Sequence, residues 1–240
     1  MAVIGSDLHW YKSASGASEG GARSATEIVN AVDNNVLADV SDAGRIAGGT
    51  QVRKIFLRNA NAVDSYLPHS IWITTQPVAA VASIGLGFDD ADDASSAGGV
   101  LVAFTAGAKL ALVSDAADTR SVDIFGLVGG TPTKETVVLN GAAEVLSVAT
   151  FDTGGPFALH TTISASRTVT VKQGTAGTVR GTIAIGIVNC FRWLSAASKS
   201  VGLQVPATAT GISDGIWERV VYAPAAAAGA QVLPLATEAL

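Results

Sequence analysis

Between residues 120 and 188 the chain repeats one motif, and that repetition limits the fold more than any other feature. Short runs rich in Val, Ile and Thr follow one another: SVDIFGLV (121–128), ETVVLNG (135–141), EVLSVATF (144–151), ALHTTISA (158–165), RTVTVKQG (167–174) and VRGTIAIGIV (179–188). Gly, Asn and Pro punctuate them, with turn residues roughly every 8–12 positions and no helical apolar period, which is the pattern of a small antiparallel sandwich. β-branched side chains favour this state because their restricted χ1 suits a pleated, half-buried surface.

The flanks carry weaker versions of the same signal. VRKIFLRN (52–59) places Ile55 and Leu57 on one face, SIWITTQP (70–77) stops at Pro77, and VASIGLGF (81–88) follows. VLVAFTAG (100–107) and AKLALVSD (108–115) are further strand candidates whose alanines leave a helix open. After the repeat come FRWLSAAS, VGLQVPAT and GIWERVVYAP (215–224), the last resembling IWITTQP closely enough to predict paired strands of one sheet. The economical architecture is all-β. An antiparallel β-sandwich or jelly-roll-like domain is formed by both chain ends (31–118 and 189–240), and a second, small β-sandwich (119–188) is inserted between them. Residues 1–30, with Gly16, Gly20 and Gly21 among serines, predict an extended N-terminal arm whose Ile4, Leu8, Trp10 and Tyr11 are apolar enough to dock.

Composition bears on function. Hydrophobic residues make up 48% and charged residues only 15%, against about 25% in ordinary soluble domains. A surface so poor in charge tolerates cover by other proteins, so a homo-oligomer or assembly subunit is expected. The net charge of −5 comes without any Lys/Arg cluster, which argues against direct nucleic-acid binding. No run approaches the roughly 20 apolar residues of a membrane span. The start, MAVIGSDLHWYKSASG, lacks the basic and apolar regions of a signal peptide, so a cytosol-like compartment is expected. The single cysteine, Cys190 in IAIGIVNCF, reads as a buried, inert thiol.

Chemistry needs convergent groups, and the sequence offers few. His9, His69 and His160 lie in three different regions with no ligand-spaced partner. GLGFDD (85–90) lacks the helix of a dinucleotide fingerprint, and the glycine pairs at 48–49, 98–99 and 129–130 read as turns. Asp89, Asp90, Asp92 and Asp93 could ligate Ca²⁺, but the run has neither the sixth-position Gly nor the twelfth-position Glu of an EF-hand, and a solvated loop is the better reading. Trp10, Trp72, Trp193 and Trp217 could form a stacking platform for sugars, yet each sits in an apolar run suited to core or interface packing. Neither enzymatic activity nor a cofactor is expected. Ile4, Trp10, Tyr11, Trp72 and Trp217 are the candidate contact residues.

Two blocks carry a resemblance. HWYKSASGASEGGARS (9–24) leading into DNNVLADVSDAGRIAGGTQVRKIFLRNAN (33–61), and GLQVPATATGISDGIWERVVYAPAAAAGA (202–230), resemble a family of virion structural proteins of tailed bacteriophages. A third, VDIFGLVGGTPTKETVVLNGAAEVLSVATF (122–151), resembles the immunoglobulin-like modules of phage tail and capsid-surface proteins. The chain departs from the first pattern at Leu37, where an aromatic is usual, and at Glu218-Arg219, where two arginines are common. The resemblance implies a non-enzymatic virion component, assembled in the host cytoplasm with copies of itself and other virion proteins. Tail, baseplate or head–tail subunit, capsid decoration protein, and carbohydrate- or receptor-binding module all stay open at this point.

Overall fold

A computed structural model describes residues 3–14, 20–29, 36–37, 41–75, 82–89, 98–222, 224 and 235–239. Five strands come first: β1 (Leu8–Ser13), β2 (Arg23–Glu27), β3 (Gly49–Asn59), β4 (His69–Ile73) and β5 (Ala82–Asp89). One short helix, α1 (Asp42–Ala47), precedes β3, with Ser41 Oγ accepting from the Gly44 N–H at 3.1 Å as its N-cap. A block of nine strands follows: β6 (Gly99–Val100), β7 (Ala108–Ser114), β8 (Ser121–Val128), β9 (Thr131–Val138), β10 (Val145–Phe151), β11 (Ala158–Thr161), β12 (Val169–Gln173), β13 (Thr178–Ile183) and β14 (Asn189–Phe191). The chain then returns with β15 (Leu203–Val205), β16 (Ser213–Tyr222) and β17 (Leu235–Ala239). The protein is all-β.

Both chain ends build the first sandwich. Its larger sheet has the order β2-β1-β3-β16-β5 and its smaller one β15-β4-β17, all antiparallel. Ile55, Leu57, Ile71, Ile73, Leu86, Ile216 and Val205 are buried in one cluster between them. Three expectations change here. The N-terminal segment is no free arm, because Leu8–Lys12 pairs residue by residue with Asn59–Ile55 and gives β3 its outer partner. IWITTQP and GIWERVVYAP do not pair either. Strand β16 is hydrogen-bonded along its length to β3 on one side and β5 on the other, so no edge is left for β4, which lies in the facing sheet. The boundary at 119 also moves, since the inserted sandwich already starts at β6 and takes in β7 and β14.

That second sandwich has sheets β10-β7-β12-β13 and β6-β14-β11-β8-β9, with Leu110, Leu112, Val122, Ile124, Phe151, Leu159, Val169, Val171 and Ile183 buried between them. The neighbours β7–β10 and β9–β8–β11–β14 match the B–E and C′–C–F–G neighbours of an immunoglobulin-like sandwich. The β12–β13 hairpin takes the edge beside β7 that strand A fills in that fold. Of the two runs whose alanines left a helix open, AKLALVSD forms β7, with Leu110, Ala111 and Leu112 all buried, while VLVAFTAG gives only Val100 to β6 and an isolated bridge at Phe104. The β8–β9 connection is the two-residue loop Gly129-Gly130, both at positive φ (57° and 78°), the geometry a tight hairpin needs. Its two N–H groups donate to the Asp152 carboxylate at 2.9 and 2.8 Å.

Candidate functional site

Among the described residues, one polar cluster lies where the two sandwiches meet. Trp217 is the cross-strand neighbour of Lys54 on one side and Gly87 on the other, so all three share one face of the larger sheet. Against that face lie β14 and the segment after it. Phe191 stacks on Trp217 with ring centroids 6.2 Å apart, and Trp193 meets the Phe191 edge at 5.0 Å. Gly87 makes the approach possible, since a Cβ there would fall 2.4 Å from the Phe191 ring. Leu86 and Leu194 exchange both backbone hydrogen bonds at 2.8 Å, so the return segment adds to the edge of β5. Phe88 completes the seam, edge-on to Phe125 at 4.9 Å and to Phe157 at 5.9 Å.

Within the seam sits a dry polar cluster. Lys54, at 0% exposure, donates from Nζ to Asp89 Oδ2 at 3.0 Å. The same oxygen accepts from Asn189 Nδ2 at 2.8 Å and from Trp217 Nε1 at 3.3 Å. His160 Nε2 lies 3.8 Å from the other Asp89 oxygen. The Lys54 ammonium is 5.2 Å from the Phe56 ring centroid and 5.7 Å from that of Trp217, within cation–π range. Asp89, expected in a solvated loop, is therefore buried at the end of β5 as the acceptor of this cluster. Asp90, Asp92 and Asp93 lie outside the described residues. Among the described residues, no three His, Cys, Asp or Glu side chains converge as a metal-ligand set.

A cavity of about 260 Å³ opens beside the seam, lined by Phe88, Phe125, Lys134, Pro206, Thr208 and Asp214, among others. Its polar groups are already engaged. Thr208 Oγ1 donates to Asp214, Lys134 lies 5.2 Å over the Phe125 ring, and Lys134 Nζ is 3.0 Å from Asp123.

Other buried ionisable groups stand apart from the seam. Glu218 is on the opposite face of β16 from Trp217, and burial pushes its carboxyl up to about 8, with Oε2 lacking a hydrogen-bond partner among the described residues. Burial likewise pulls His69 down to about 4, partly offset by its bond to the Leu67 carbonyl. The Cys190 thiol is pushed up to about 12 by burial. In the inserted sandwich, the Arg120 guanidinium holds the buried Asp118 carboxyl below the ordinary carboxylate range.

The candidate contact residues scatter. Ile4 is 61% exposed; Trp10 and Trp72 are half-buried against the first core, and Tyr11 is half-buried under Arg23 at 4.8 Å. Trp217, at 0% exposure, packs in the chain's own core and offers no surface to a partner. Lys54 and Asn189 carried no weight in the sequence reading. Asn189 is a lone polar residue inside the apolar run IVNCF, and that isolation is the signal that marks it, whereas Lys54 stands next to Arg53 in VRKIF and nothing local sets it apart. No family model, no curated protein and no solved structure matches the chain.

Proposed function

We propose that this chain is a non-enzymatic structural subunit of a tailed-bacteriophage virion, present in several copies in the tail, baseplate or head–tail region. The observation that carries the reading is the exterior of the inserted sandwich. Val148 is 84% exposed and Leu146 40% on the edge strand β10, and Val138 is 58% exposed on the adjacent edge strand β9. Only 15% of the chain is charged. Burying them against a neighbour is favourable at about 25 cal/mol per Å² before the entropic costs of docking. The three sequence blocks that resemble phage virion proteins supply the setting.

The contacts run through faces and not through strand addition. Glu135 reaches from β9 across to β10, where its carboxylate accepts the N–H groups of Val148 at 2.6 Å and Ala149 at 2.9 Å. Those edge donors are thereby closed to a foreign strand, while the valine and leucine side chains stay outward. A cement-like decoration role draws on a free N-terminal arm; Leu8–Ser13 and Arg23–Glu27 are strands of the first sheet, and that reading has no further observation behind it. Electron microscopy of intact particles with antibody labelling of this chain is the test. Label in rings on the tail or at the neck supports the proposal, label spread over the capsid shell selects decoration, and particles without label sink both.

A further inference from the structure

The cluster at the seam places an amine, a carboxamide and a carboxyl group around one point from which water is excluded. Lys54 Nζ and Asn189 Nδ2 both donate to Asp89 Oδ2, at 3.0 and 2.8 Å, so the lysine nitrogen and the asparagine side-chain amide sit side by side. All three residues are at most 1% exposed, and aromatic rings of Phe56, Trp217 and Phe191 pack around them. A charged pair in such a place is costly, and moving the ammonium proton onto the carboxylate removes both charges at once. Passing that proton across would leave Nζ with a free lone pair, beside a carboxamide that shares the same carboxyl oxygen as its acceptor. Where an amine and an amide carbon are held at about 3–3.5 Å, proximity corresponds to effective molarities of about 10⁵–10⁸ M.

We infer that Lys54 and Asn189 join in an intramolecular isopeptide bond, formed by the chain itself with Asp89 as the proton carrier. Asp89 first takes a proton from the Lys54 ammonium. The Nζ lone pair then attacks Asn189 Cγ, forming the new C–N bond and a tetrahedral intermediate. Asp89 hands its proton to Nδ2 and recovers one from Nζ as the Cγ–Nδ2 bond breaks. One ammonia leaves, the amide links Nζ to Cγ, and Asp89 ends as a carboxylic acid. Nothing is oxidised or reduced, and no further reactant is needed. His160, 3.8 Å from Asp89 Oδ1, is a positioning residue for the carboxyl group. The bond ties β3 of the first sandwich to β14 of the inserted one, across the joint on which force acts when either module is pulled.

Mass spectrometry of the full-length chain, denatured after folding, decides the matter. The folded protein is expected to be lighter than its sequence by one ammonia. Proteolysis should release one branched peptide that joins the Lys54 segment to the Asn189 segment. The Lys54→Arg and Asp89→Ala variants should keep the full mass of their own sequences. A wild-type chain that is folded by circular dichroism yet has its full sequence mass overturns the proposal, and leaves Lys54–Asp89 a permanent ion pair. So does loss of ammonia without the branched peptide, as succinimide formation at the Asn140-Gly141 turn would give. Loss of one water with a branch between Lys54 and Asp89 also overturns it, by putting the link on the wrong partner.

Discussion

A buried carboxyl group whose Oε2 has no hydrogen-bond partner among the described residues makes Glu218 the residue whose behaviour is most open to measurement. It ionises near 4.5 when unfolded and near 8 when folded, because burial penalises its charged form. The unfolded chain therefore releases this proton first, and the stabilising contribution, complete below pH 4.5, is lost as pH rises through about 8. His69 acts in the opposite direction: its folded value is near 4 against 6.5 unfolded, so its contribution is complete above pH 6.5 and is lost as pH falls through about 4. Between pH 6.5 and 8 only Glu218 of these two is in play. Urea midpoints should fall across that interval with a slope of at most about 1.4 kcal/mol per pH unit, and Glu218→Gln should flatten the decline. A wild-type midpoint that rises with pH over the same range would contradict the burial of a protonated Glu218. Cys190, at 0% exposure with its thiol near 12, should ignore an aromatic disulfide reagent in the native state and react fully only in denaturant.

Strand pairing sets what can be changed at the level of elements. Ala at Gly87 would put a methyl group 2.4 Å from the Phe191 ring, which is held between Trp217 and Trp193 and has little room to retreat. Gly87→Ala should cost about 1–3 kcal/mol in chemical denaturation through overpacking of the seam, whereas Ala at the open surface position Gly5 meets nothing and should cost far less. Edge protection is a second element-level property. Removing the Glu135 carboxylate frees the Val148 and Ala149 donors, so Glu135→Ala should aggregate faster by light scattering while keeping its secondary structure. Elements with local signals were legible: β8, β10 and β12 stand where turn residues put them, whereas β9 starts at Thr131, inside a segment that the turn residues mark as loop. The pairing of β16 was not. Its residue types match β4 as well as they match β3, and only the completed ladders on both sides of β16 exclude the first choice.

At the scale of the molecule, the apolar exterior and the sparse charge set the expectation for solution behaviour. Sedimentation should show concentration-dependent association of the purified chain. Replacing Val148 and Val138 by Lys together should shift it toward the monomer with no loss of folded structure, since both side chains are already solvent-facing. A monomer at every concentration tested would remove the main support for an assembly role.

The sequence by itself determined the all-β class, the presence of an inserted antiparallel sandwich and the low overall share of charged residues. These follow from composition and from turn and strand periods, which are local properties. Tertiary structure alone decided that the N-terminal segment is a strand of the first sheet, that Trp217 is core, and that Lys54, Asp89 and Asn189 meet. Those outcomes depend on contacts between residues far apart in the chain, such as Asp89 with Asn189, 100 positions on, whose cost and reward are set by burial at a joint that no local window contains.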